Sequence, residues 1–165
     1  MAAAPAAPGT LAEIRAKAEQ GDAKAQNSLG LRYDEGKGVT QDAIEAATWY
    51  RKAAEQGYAD AQFNLGLCYA TGAGVTKNSA EAVNWYRKAA EQNFAAAQLN
   101  MGVCYDDGEG VVKDPVEAMK WYNLAAGQGS EDAVTYRTTL QKSMTLEQIT
   151  AAKKLSDEFK PKTAQ

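Results

Sequence analysis

A chain of 165 residues with 18 basic and 21 acidic side chains carries a formal net charge of −3 and a pI near 5.1. This balance argues against a nucleic-acid footprint, which needs a basic patch and a high pI, and no run of about 18 apolar residues encodes a membrane-spanning helix. The chain has no histidine, which removes Ser-His and Cys-His nucleophile activation, histidine general bases and histidine metal ligands together.

The first nine residues, Met-Ala-Ala-Ala-Pro-Ala-Ala-Pro-Gly, are too poor in apolar bulk for the core of a secretion signal. They read as a disordered lead, or as the remnant of a processed export signal behind a methionine. The second reading tilts the compartment towards export, periplasmic in a bacterium, with the cytoplasm as the alternative. Helix formation is expected from Thr10 to Gln20, opened by Thr10 and Glu13 as a capping box. The closing Ala18-Glu19-Gln20-Gly21 matches Ala54-Glu55-Gln56-Gly57, so this helix is the second half of a truncated repeat.

From there the chain writes one 36-residue unit three times. Ala25-Gln26 returns as Ala61-Gln62 and Ala97-Gln98, Leu29-Gly30 as Leu65-Gly66 and Met101-Gly102, and Tyr33 as Tyr69 and Tyr105. The pairs Gly36/Gly38, Gly72/Gly74 and Gly108/Gly110 keep step, as do Trp49-Tyr50, Trp85-Tyr86 and Trp121-Tyr122. A period between 20 and 50 residues marks a solenoid. Each unit is expected to hold two helices. The first, Ala23 to Glu35 in the first copy, presents Ala25, Leu29 and Tyr33 on one face, and Gly30 invites the paired helix to lie against bare backbone. The glycine pair then ends the helix; no GK[ST] or GxGxxG follows that would make it a phosphate loop. The second helix opens with three predicted capping boxes, Asp42/Glu45, Asn78/Glu81 and Asp114/Glu117, with Pro115 at a tolerated first position. Its core face is Ala46, Tyr50, Ala53 and Ala54 and their counterparts. Arg51-Lys52 and Arg87-Lys88 suit the negative end of the helix dipole and read as solvated, an anion site being the other reading.

After Gly129 the pattern decays, Leu-Gly becoming Arg137-Thr138. Thr145 and Gln148 open a last helix to about Phe159, whose stripe Leu146, Ile149, Ala152, Leu155 and Phe159 is suited to a lid on the open apolar end. These signals define one repeat domain over 10–160: a half repeat (10–21), repeats at 22–57, 58–93 and 94–129, a degenerate helix (130–143) and a capping helix (144–160), then a tail (161–165). Cys68 and Cys104 occupy the same repeat position; a disulfide is conceivable, and two small packed thiols is the plainer reading. Asp106-Asp107-Gly108-Glu109 lacks the alternation of a calcium loop. No catalytic residue, metal or cofactor is expected.

Leu-Gly-x-x-Tyr followed by Ala-x-x-x-Tyr resembles the helix-pair signature of tetratricopeptide-type repeats. The 36-residue period, Gly-x-Gly-Val between the helices and Trp-Tyr-x-x-Ala-Ala are similar, more specifically, to the Sel-one-like repeats (SLR) over about residues 10 to 160. The closing helix from Met144 to Gln148 onward is similar to an end cap common in bacterial members. The resemblance implies an all-α, right-handed solenoid of antiparallel helix pairs acting as a scaffold or adaptor for proteins. One secreted, cysteine-rich branch of that family has a disulfide in each repeat and is linked to β-lactam binding or hydrolysis. This chain has at most one cysteine per repeat and no S-x-x-K motif.

The resemblance also implies that the first helices line the concave side. At 100° per residue, positions opposite the packed face are Asn27, Leu31, Asp34 and Glu35, then Phe63, Leu67, Ala70 and Thr71, then Leu99, Val103, Asp106 and Asp107. An apolar middle flanked by acid suits a peptide segment carrying Lys or Arg beside apolar anchors. The candidate groove is therefore Asn27, Asp34, Glu35, Phe63, Leu67, Leu99, Asp106 and Asp107. Packing between neighbouring repeats is the competing reading for the apolar members. The expected function is a monomeric, non-enzymatic protein-binding scaffold. A binder or hydrolase of β-lactams or cell-wall fragments, and a structural spacer, are the alternatives.

Overall fold

The computed structural model describes residues 9–162. The Ala/Pro lead up to residue 8 and the tail from residue 163 lie outside the described residues. Within them the chain forms nine helices and no strand: α1 (Leu11–Glu19), α2 (Ala23–Glu35), α3 (Ala43–Glu55), α4 (Ala59–Thr71), α5 (Ser79–Glu91), α6 (Ala95–Asp107), α7 (Pro115–Gly127), α8 (Glu131–Gln141) and α9 (Leu146–Asp157). Each helix from α1 to α7 packs on the next, which is the stacking of a solenoid.

Local chemistry sets the helix starts. Thr10 and Thr145 form complete capping boxes with Glu13 and Gln148. The three boxes expected at Asp42, Asn78 and Asp114 form only by half. Each side chain accepts the amide three residues on, at 3.1 Å in all three cases. The reciprocal bond is missing because the cap residue's own N–H already donates to the carbonyl of Tyr33, Tyr69 or Tyr105, at 2.9, 2.9 and 3.0 Å. A tertiary bond to the first helix of the repeat has displaced the local one.

The helical glycine has a more specific reason than helix-to-helix approach. A Cβ on Gly30 would stand 2.6 Å from the Tyr50 ring, and one on Gly66 2.6 Å from the Tyr86 ring; Gly102 faces Tyr122 in the same way. The missing side chain is the slot for a tyrosine of the paired helix. The second turn glycine joins repeats: a Cβ on Gly74 would run into the Ala43 carbonyl, and one on Gly110 into that of Ser79. Those are the first residues of α3 and α5, so each turn seats on the preceding repeat.

The core follows the expected face. Ala46, Tyr50, Ala53 and Ala54, with Ala82, Tyr86, Ala89 and Ala90, and Ala118, Tyr122 and Ala125, are buried; Ala126, nearer the end, is half-buried. Three glutamines share this interior. Gln26, Gln62 and Gln98 donate to the carbonyls of Ala18, Ala54 and Ala90 at 3.1, 3.1 and 3.2 Å. Their own carbonyls accept from Gln56, Gln92 and Gln128 at 2.7, 2.8 and 2.7 Å. Each buried amide thereby ties three successive helices, satisfying groups that would be costly to bury unpaired.

The lid differs from the expected stripe. α8 has Thr138 where a glycine slot would be, and α9 packs against α7 instead of pairing with α8. Ala152 is buried and Phe159 half-buried, but Leu146 is 80% exposed and Leu155 lies at the surface. The cations after the first two tryptophans are also engaged. Arg51 donates to the Tyr69 hydroxyl at 2.9 Å and Arg87 to that of Tyr105 at 3.1 Å, while Lys52 and Lys88 lie 3.9 and 3.8 Å over the Trp49 and Trp85 rings.

Candidate functional site

The first helices α2, α4 and α6 carry the candidate groove, and the structure sorts its residues into two groups. Three are drawn into the stack. Asn27 is 6% exposed and accepts a 3.0 Å hydrogen bond from Asn64 of the next repeat. Phe63 packs on Tyr86 and Phe94, ring centroids 5.9 and 5.3 Å apart. Leu99 packs, with Val103, on the cluster of Ala118, Met119 and Tyr122. The reason is general: a solenoid helix has neighbours on two sides, so a position opposite its partner helix can still meet the next repeat.

The others remain accessible. Leu31 and Leu67 are each 37% exposed, and Asp34, Glu35 and Asp107 are exposed. Asp106 is half-buried and pairs loosely with Lys113 at 3.9 Å; Glu35 pairs with Lys37 at 2.6 Å. Between α4, α5 and α6 lies a cavity of about 170 Å³ lined by Ala70, Tyr86, Asn100, Val103, Cys104 and Glu109, among others.

The acidic residues act on the groups beneath them. Burial first, and then the Asp34 carboxylate, push the Tyr50 hydroxyl well above its usual range. Burial, then Asp106 and Asp107, do the same at Tyr122. Cys68 and Cys104 are free thiols, each raised to about 11, chiefly by burial and then by Asp34 or Glu109. Thiols so raised are poor nucleophiles at neutral pH. Among the described residues no cluster of His, Cys, Asp or Glu is arranged to hold a metal.

The position of this acid is electrostatically unfavourable. Asp34 and Glu35 end α2, and Asp106 and Asp107 end α6, where the helix dipole presents partial negative charge. α2 has Arg32 in its last turn as an offset, but α6 has no basic residue there. The glutamine ties and the Arg–Tyr bonds escaped the sequence reading. Their signal was present in Ala-Gln and Arg recurring at fixed phase, but only the stacking shows which carbonyl or hydroxyl each one meets.

A sequence description of the Sel1 repeat matches residues 23–58, 59–94 and 95–130. Among solved structures, a Sel1 repeat protein from Oxalobacter formigenes is 45% identical, with a TM-score of 0.77 over 81% of this chain and 55% of its own. A protective antigen of uropathogenic Escherichia coli strains with an SLR fold is 32% identical, with a TM-score of 0.69 over 88% of this chain and 39% of its own. Helicobacter pylori cysteine rich protein B is 29% identical, with a TM-score of 0.60 over 78% of this chain and 98% of its own. The secretory immunoglobulin A-binding protein EsiB of Escherichia coli is 49% identical over 43 residues, 26% of this chain and 9% of that protein. The chain thus spans about half of the Oxalobacter protein and a small part of EsiB. Three matched repeats and the all-helical right-handed stack lead to one conclusion: the chain belongs to the Sel1 repeat family, whose members generally act as protein-interaction scaffolds.

Proposed function

We propose that this protein is a non-enzymatic adaptor that binds a segment of another protein along α2, α4 and α6, and that the acidic ends of α2 and α6 read a basic, partly apolar sequence. The observation that carries this reading is the placement of Asp106 and Asp107 in the last turn of a helix that has no basic residue there, Asp106 being only loosely paired with Lys113 at 3.9 Å. Carboxylates there cost stability, and a ligand bearing Lys or Arg would relieve that cost. Leu31 and Leu67, exposed between the two acidic ends, supply apolar contact. Binding through such charges is expected to weaken as salt rises. The groove then comprises Leu31, Asp34, Glu35, Leu67, Asp106 and Asp107, with Asn27, Phe63 and Leu99 supporting it from within. In this reading the adaptor is exported to the cell envelope and works as a monomer.

The test is a pull-down from envelope and cytosolic extracts, beside an Asp34→Lys/Asp106→Lys/Asp107→Lys variant shown folded by circular dichroism. The expected result is a protein from the envelope fraction that the native chain retains and the variant loses. Equal recovery by both chains would mean that the acid is ordinary solvated surface.

A further inference from the structure

The segment leaving α9 turns back over the third repeat. The Phe159 ring meets Trp121 edge to face, centroids 5.9 Å apart at 70°, in the same apolar cluster as Tyr105 and Val111. Three residues on, the Lys162 amide donates to the Glu91 carbonyl at 2.8 Å, and its Nζ pairs with the Glu91 carboxylate at 2.7 Å. A short stretch is thus held by one aromatic anchor, one charge pair and one backbone bond, as an extended ligand is held.

The residues that receive it belong to the repeat and not to the cap. Glu91, Tyr105, Val111 and Trp121 recur 36 positions earlier as Glu55, Tyr69, Val75 and Trp85. No described segment of the chain crosses that second position, and a cavity of about 590 Å³ bounded by Arg51, Tyr69, Val75, Lys77 and Glu81 opens beside it. The Glu55 carbonyl, the last of α3, accepts none of the turn hydrogen bonds among the described residues, so it is one of the orphan acceptors at a helix end. The second position has cations of its own, Arg51 and Lys77 at the cavity and Lys88 over the Trp85 ring, but its glutamates are not paired as those of the third repeat are. There Lys120 pairs with Glu117 at 3.0 Å; in the second repeat Asn84 replaces that lysine, and neither Glu55 nor Glu81 has an ion-pair partner among the described residues.

We propose that the second repeat carries a docking site for an extended segment of a partner protein in which an aromatic residue is followed three positions later by lysine, held as the third repeat holds Phe159 and Lys162. The aromatic ring packs on Val75 and on Trp85, displacing Lys88 from the Trp85 ring, the lysine pairs with Glu55, and a ligand N–H donates to the Glu55 carbonyl. This site runs along the second helices and uses none of the acidic residues of the groove on α2, α4 and α6, so either can fail without the other.

The probe is the blocked peptide Asp-Glu-Phe-Lys-Pro-Lys, titrated into isotope-labelled protein and followed by NMR. The expected result is perturbation of Glu55, Tyr69, Val75 and Trp85, with binding weakened about tenfold by Glu55→Lys. Glu91→Lys, which releases the chain's own segment, should leave that binding unchanged. Should Glu55→Lys fail to fold, a peptide with Phe replaced by Ala or the last Lys by Gln on the native protein is expected to show the same loss. No binding, perturbation confined to the third repeat, or indifference to these changes would overturn the proposal. Sedimentation showing a dimer that both Phe159→Ala and Glu55→Lys abolish would also overturn it, by making the occupant a second copy of this chain.

Discussion

At Gly66 two opposing effects meet, and geometry decides between them. Alanine is the better helix former by about 1 kcal/mol, yet its Cβ would stand 2.6 Å from the Tyr86 ring. Overpacking of this kind costs about 1–3 kcal/mol, so Gly66→Ala is expected to lower the stability measured by urea unfolding; a gain would mean that the ring moves aside freely. The sequence showed that a glycine was needed at this phase in all three copies. It did not show that a side-chain ring fills the slot, because the ring belongs to a residue 20 positions away and comes into register only when the helices pair.

Among the elements, helix ends were the most legible part of the chain, since caps act within four residues. Asp42, Asn78 and Asp114 were read from local spacing, and each caps its helix. What the spacing could not reveal was the long-range competitor, the carbonyl of Tyr33, Tyr69 or Tyr105, that takes the cap residue's amide. The same limit hid the glutamine ties, in which partners lie 30 residues apart. Removing the Gln62 amide should leave the Ala54 carbonyl without its side-chain donor and cost Gln92 one of its hydrogen bonds. Gln62→Ala is accordingly expected to destabilise by about 1–3 kcal/mol. In a cycle with Gln92→Ala the two losses should be less than additive, because both remove one bond. Additive losses would mean that the two glutamines act separately. The exposure of the candidate groove was legible in its charges and in Leu67. Asp34, Glu35 and Asp107 are on the surface, whereas the apolar Phe63 and Leu99 obeyed the next repeat's packing, which one helical wheel cannot represent.

Across the whole molecule, stability depends on buried hydroxyls and thiols distributed along every repeat. Burial raises Tyr50 and Tyr122 above their usual range, Tyr86 from 10.0 to about 12, and both cysteines from 9.0 to about 11. A raised pKa in the fold means that the unfolded chain ionises first as the solution turns basic. This contribution is complete below pH 9 and is lost from there to about pH 12. Chemical unfolding measured from pH 8 to 12 should show a steady loss of stability over that window, and a flat profile would contradict the burial of these groups. Across the same range, thiol labelling of Cys68 and Cys104 is expected to be slow at pH 8 in the folded protein and fast in urea.

The scaffold reading rests on charge kept at a helix end where it opposes folding. The measurement that tests it most directly compares the native chain with Asp106→Asn/Asp107→Asn for both stability and affinity, using a blocked peptide alternating Lys and Leu. The account predicts a variant more stable by a few tenths to about 1 kcal/mol that binds the peptide more weakly, with the native affinity falling as salt is raised. Equal affinity in the two chains, or a variant that is less stable, would contradict it.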